Sequence, residues 1–169
     1  MSTRIRLLTL VTLLMAAMAF PVLALETPNG PVVLTIKGQI EVKNADDSAV
    51  FDMAMLEALP QHSFTTRTPW FDQPVRFTGP LMADVLKAVQ ARGTVVQAVA
   101  INDYKVSIPM EDSRKYKMIV ARLMNGEPMT VRDKGPLFVV YPFDSARELR
   151  KLTFYERSIW QLKALEIKP

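Results

Sequence analysis

The chain contains no cysteine and a single histidine, His62, among its 169 residues. The first absence excludes thiolate nucleophiles, thiolate metal ligation, disulfide staples and redox pairs. The second would hang any Ser-His-Asp or His-based metal site on one side chain with no histidine partner. Just past the helix-ending Pro60, His62 reads first as an exposed polar residue near a helix end. No glycine-rich phosphate loop follows a strand, which sets classical nucleotide binding aside. No Lys/Arg run occurs either, so a nucleic-acid footprint is missing. Repeats and low-complexity segments are likewise absent.

One long apolar run is present, at the start: Arg4 and Arg6 precede an apolar stretch over residues 7–20, followed by Val22, Leu23 and Ala24. A basic opening, a short apolar core and small residues at the end are the pattern of a secretory signal, here cut after Ala24. The stretch is too short for a membrane span, and no second apolar segment of spanning length follows it. Ile5 separates the two arginines, so the twin-arginine signal is absent and export of an unfolded chain to the periplasm is expected. Removing residues 1–24 of 169 leaves 145 residues, read as one domain over 25–169 with 19 basic and 17 acidic side chains.

Within that domain, residues 33–37 alternate apolar and polar and stop at Gly38, predicting a strand. Asp52 is placed to cap a short helix carrying Met55, Leu56 and Leu59 on one face and ended by Pro60. Strands are predicted at 64–66 and 75–78, the second with Val75 and Phe77 on one side and Arg76 and Thr78 on the other, and a polar and aromatic loop between them. Gly79-Pro80 predicts the start of a helix with Leu81, Val85 and Val89 in phase and Gly93 as its C-cap. Residues 95–108 read as two extended pieces broken at Asn102-Asp103-Tyr104, and 118–123 and 137–141 as apolar strands. Ser145 and Glu148 have capping-box spacing for a short helix, and Leu165 and Ile167 mark a final strand. Strands outnumber helices and do not alternate with them regularly, so the class is α+β, with a mixed β-sheet core and short flanking helices.

The polar clusters fall at strand ends: residues 67–72, 102–104 and 125–134. Loop groups held by a rigid sheet are the usual material of a binding site. Trp70, after Pro69, either offers a flat stacking face at a pocket mouth or covers the edge of the core, and periodicity does not separate the two. Asp103 taken alone is a turn residue, and Asn125-Gly126 a hairpin signal.

Three segments, GPLMADVLKAV (79–89), AINDYKVSIPMED (100–112) and VARLMNGEPMTVRDKGPLFVVYP (120–142), resemble in order and spacing the molybdopterin-binding domain of the sulfite-oxidase family of oxidoreductases. The resemblance covers most of the mature chain and implies that fold. The family places its molybdenum-binding cysteine in the region occupied here by residues 65–71, where this chain has none, and Phe138 stands where Gly-Pro-Leu is commonly followed by arginine. Those departures imply a pterin ligand without molybdenum. They make the chain similar to small periplasmic pterin-binding proteins of this fold that act as non-enzymatic ligand sensors for membrane cyclic-di-GMP signalling proteins in biofilm control. The partner so implied is the periplasmic domain of a membrane diguanylate cyclase, phosphodiesterase or sensor kinase, with no nucleic acid. The alternative is a molybdopterin-dependent oxidoreductase subunit with a cysteine-free metal site.

A pterin is a flat bicycle with an aminopyrimidinone edge and needs a stacking ring, an acceptor for its N–H groups and donors for its oxo group. On the resemblance, Trp70 supplies the stack, Asp103 the acceptor and Arg67 or Arg122 the donor, while Tyr104, Asn125 and Lys134 hold a hydroxylated side chain. Arg122 has a second reading, as a solvent-facing residue on the polar side of its strand.

Overall fold

The computed structural model describes residues 25–169, so the expected leader over 1–24 lies outside the described residues. Two sheets carry most of the chain. The first, five-stranded, has the order β2-β1-β11-β5-β6, built from β1 (Leu34–Gly38), β2 (Ser48–Phe51), β5 (Val95–Ala100), β6 (Lys105–Pro109) and β11 (Leu162–Lys168). The β1–β11 pair is parallel and its neighbours are antiparallel, which makes this sheet mixed. The second has the order β3-β4-β8-β9, from β3 (Gln61–Thr68), β4 (Phe71–Pro80), β8 (Leu123–Met124) and β9 (Glu127–Pro128). A two-stranded ladder of β7 (Ile119–Ala121) and β10 (Phe138–Val140), with β7 against β4, has every residue buried. Four short helices flank the sheets: α1 (Met53–Ala58), α2 (Met82–Ala88), α3 (Met110–Lys115) and α4 (Leu152–Arg157). The class is α+β, as the strand-rich pattern predicts.

The alternation in β4 puts Val75 and Phe77 in the core, and the continuous apolar character of β7 and β10 matches strands covered on both faces. Phe77, Phe138, Tyr141 and Phe143 are fully buried, with Phe77 and Phe138 meeting edge to face at 5.7 Å. The Tyr141 hydroxyl donates to Asp112 Oδ2 at 2.7 Å, and Arg157 Nη1 donates to the same oxygen at 2.8 Å. Burial, then the adjoining carboxylate, pushes the Tyr141 phenol well above its ordinary range.

Asp52 caps α1, accepting from the Met55 N–H at 2.9 Å and from the Asn29 and Gly30 N–H groups at 2.8 Å each. These backbone donors, Met55 first, hold its carboxyl below the ordinary value of 3.8. A depressed carboxylate contributes stability that is present above its unfolded-state pKa and lost as pH falls through the folded one. Thermal melts should therefore show the gap between the native chain and Asp52→Asn closing as pH drops below 3.8; a gap constant with pH would overturn this.

Three expectations change. Gly79-Pro80 does not start α2; both residues belong to β4, and Leu81 takes the N-cap position without a side-chain cap. Gly79 is glycine for a packing reason, since a Cβ there would lie 2.0 Å from the Val120 carbonyl of the crossing strand β7. Gly93 is not a C-cap: α2 ends at Val89, and Gly93 lies against β11, where a Cβ would come 2.1 Å from the Lys168 carbonyl. The spacing of Ser145 and Glu148 opens no α-helix. Residues Phe143–Ser145 and Arg147–Leu149 form single 3₁₀ turns without side-chain caps. Asp144 ties this segment to β3 instead, its N–H on Thr66 Oγ1 at 3.0 Å and its carboxylate on the Arg67 N–H at 2.7 Å.

Candidate functional site

The stretch expected as a loop over 67–72 is a tight hairpin: β3 and β4 run on to Thr68 and Phe71, leaving Pro69 and Trp70 at the turn. That turn, the β5–β6 turn and the chain from α4 to Trp160 enclose a cavity of about 640 Å³. Its walls are mostly aromatic and apolar, with Trp70, Tyr104, Tyr155 and Trp160 around it and Asn102, Glu156 and Ser158 as the polar groups. Glu156 makes no ion pair among the described residues.

Trp70 serves both as wall and as packing. Its ring meets Phe138 at 5.5 Å, Trp160 at 5.6 Å, Phe143 at 6.0 Å and Tyr155 at 6.1 Å, all tilted or edge-on. Interlocked rings of this kind hold each other's orientation better than single aromatics on loops. Lys134 stands against the Trp160 ring, its ammonium 4.4 Å from that ring's centre and 5.6 Å from that of Phe71. The Lys134 carbonyl accepts the Gln161 N–H at 2.9 Å, and the Gln161 carbonyl accepts the Ile101 N–H at 2.9 Å. The loops carrying Lys134, Trp160 and Asn102 are thus stitched to one another through their backbones.

The structure brings Trp70 and Tyr104 to the cavity, with Lys134 against its Trp160 wall. Arg67 lines a smaller adjoining depression with Thr68, Asp144 and Arg150, which shares Pro69 and Tyr155 with the main cavity. The other three, Asp103, Arg122 and Asn125, are not among the residues that line the cavity. Asp103 points away from the cavity: it adopts φ 66 in the turn and takes Lys163 Nζ at 2.8 Å. That hydrogen bond and the Lys163 charge hold its carboxyl below the ordinary value. Arg122 neither lines the cavity nor faces solvent, being largely covered and donating to Gln61 Oε1 and Glu57 Oε1 at 2.9 Å each. Asn125 makes the β8–β9 turn at φ 53, its Oδ1 accepting the Arg76 N–H at 3.1 Å. His62 stands 4.0 Å from Asp84, outside the cavity.

Tyr155, Glu156 and Trp160 escaped the sequence reading. The only signal was the run TFYERSIW (153–160), two aromatics, a carboxylate and a tryptophan in eight residues, masked by the expectation of a helix opening at Ser145, eight residues earlier.

A family model described as "Oxidoreductase molybdopterin binding domain" matches residues 31–158. The chain belongs to this family. Among solved structures, the sulfane dehydrogenase SoxCD from Paracoccus pantotrophus matches with 17% identity and a TM-score of 0.60, covering 80% of this chain and 37% of that one. At this identity the likeness shows the fold, and this chain spans little more than a third of its neighbour's length. A search of curated proteins finds no match. The expectation that the chain is not an enzyme is overturned by the family match, because the family is one of oxidoreductase domains.

The two parts of a molybdopterin-type cofactor fare differently against these residues. The pterin fits: the cavity is large enough, its walls offer flat rings, Glu156 supplies an acceptor, and Asn102, whose Oδ1 accepts the Tyr104 N–H at 3.2 Å, has its amide N–H groups to donate. The metal finds no thiolate in the chain, and no group of three or more His, Cys, Asp or Glu side chains able to hold a metal ion occurs among the described residues.

Proposed function

We propose that this chain is a pterin-binding subunit of the oxidoreductase class, gripping the pterin in the cavity between the β3–β4 turn, the β5–β6 turn and α4, with no cysteine bond to a metal. The observation that carries the reading is the pairing of a four-aromatic wall with one unpaired carboxylate, Glu156. Within the proposal, the ring lies against Trp70 or Trp160, and Glu156 accepts from the amino group and ring N–H of the pyrimidinone edge, a charge-assisted hydrogen bond. Asn102 serves the oxo group, its amide being able to donate. A bound pterin supplies the redox-active ring, and the protein's share is binding, orientation and electrostatics. The leader pattern supports residence in the periplasm, and the resemblance supports association with the periplasmic domain of a membrane protein.

Protein purified from the periplasm of a host that makes the cofactor should release, on denaturation, about one fluorescent pterin per chain, with molybdenum well below that ratio by elemental analysis. The stripped protein should regain thermal stability when reduced pterins are added, by the linkage between binding and unfolding. Absence of released pterin together with no melting shift from any added pterin would overturn the proposal, and equimolar molybdenum would overturn its metal-free part.

A further inference from the structure

The four-stranded sheet ends on β3, whose outer side pairs with no other strand among the described residues. At Thr66 and Arg67 that side is closed by Asp144. Among the described residues, 62–65 make no backbone hydrogen bond beyond the ladder to β4, so the outward N–H and C=O groups of this segment lack partners there. An open edge is a template for another strand unless charge, proline or a bulge blocks it. Gln61, His62, Ser63, Phe64 and Thr65 include no proline and, with His62 neutral, no charge.

Beside this edge lies a depression of about 600 Å³, where Phe64, Tyr116 and Leu149 give apolar surface and Lys115 and Lys117 stand at the wall. It continues past Glu148 to Arg147, Arg150 and Lys151, and from Arg150 to Arg67. Six cations face two carboxylates there, although the domain as a whole is nearly balanced. Glu148 lies 3.7 Å from Lys115 and Asp144 lies 3.3 Å from Arg150, which leaves Arg67, Lys117, Arg147 and Lys151 without an ion pair among the described residues.

We propose that this edge docks an extended acidic segment of a partner protein, which adds as a strand alongside residues 62–65 and sets its carboxylates on the Lys/Arg face. Main-chain pairing gives such a site its affinity, and the flanking depression gives it side-chain preference. The basic face steers the segment in and fixes its direction. A protein is favoured over an anionic lipid surface because a row of unpaired peptide groups is matched in register only by another backbone. The site is separate from the pterin reading and does not rest on it.

A short labelled peptide alternating glutamate and valine, titrated into the full chain by fluorescence anisotropy, should bind saturably and slow amide hydrogen exchange within 62–65. Reversing charge in Lys117→Glu/Arg147→Glu, two exposed cations without an ion pair among the described residues, should weaken it by roughly tenfold, while leaving the melting temperature and pterin response unchanged. An N-methylated version of the peptide, unable to form the ladder, should fail to bind. Equal binding of the N-methylated peptide, unaltered exchange within 62–65, or capture of phosphatidylglycerol vesicles without capture of the peptide would each overturn the proposal.

Discussion

Replacing Asp112 with alanine should destabilise the protein by about 3 kcal/mol, because it breaks a buried pair by removing one partner. Asp112 is 6% exposed and its Oδ2 is shared by the Tyr141 hydroxyl and the Arg157 guanidinium. Without it the fully buried phenol loses its acceptor and the guanidinium, only 24% exposed, loses its counter-charge. The melting temperature should fall by roughly 10 °C, given a few degrees per kcal/mol for a domain of this size. Tyr141→Phe removes a donor and leaves the Asp112–Arg157 pair in place, so its cost should be nearer 1 kcal/mol. Chemical denaturation of the two variants checks both the size and the order. An Asp112→Ala loss below about 1 kcal/mol would show that water replaces the carboxylate.

The second large effect belongs to Trp70. Its ring packs on Phe138 and Phe143 in the core and on Tyr155 and Trp160 at the cavity, so Trp70→Ala should act in two ways at once. Truncating a large aromatic in a well-packed setting costs about 3 to 5 kcal/mol, and the half-buried position of Trp70 argues for the lower end. Loss of a stacking surface weakens ligand binding by about 1 to 3 kcal/mol, roughly 5 to 150 fold. Tyr104→Ala separates the terms: Tyr104 lines the same cavity, is 56% exposed and pairs with no other ring among the described residues. It should reduce pterin affinity while changing stability by less than about 0.5 kcal/mol. Pterin titrations and melts on both variants decide the matter, and unaltered pterin binding in both would place the ligand elsewhere.

Much of the sheet was legible because its signals are local. The alternation of Val75 and Phe77, the apolar runs around Val120 and Val139, and the Asp52 cap each depend on neighbours a few residues away. The start of α2 was misread because Gly79 and Pro80 also satisfy a strand that crosses another backbone closely, a demand set by Val120 some forty residues later. The site was harder still. Its walls come from Trp70, Tyr104, Tyr155 and Trp160, on segments that meet only after the sheets form. Trp70 could be singled out as an aromatic at a turn, but nothing local told which residues would face it. Arg122 and Asp103 look available as ligands in the sequence, and their partners Glu57 and Lys163 lie about sixty residues away along the chain.

The place of β11 in the first sheet sets a schedule for maturation. This strand occupies the middle of the order, parallel to β1 on one side and antiparallel to β5 on the other. As residues emerge from a ribosome or a translocation channel, β1, β2, β5 and β6 arrive early as two separate hairpins with a gap between them. Neither can join the other until residues 162–168 slot in, more than 120 positions after β1. Contacts so distant along the chain form slowly, because the intervening loop must close first. Until then one edge of each hairpin and its hydrophobic side stay uncovered, an interval that favours aggregation and that holding chaperones serve. Completion is then a single late event, in which the strand that closes the sheet also draws the neighbouring Trp160 segment into the cavity wall.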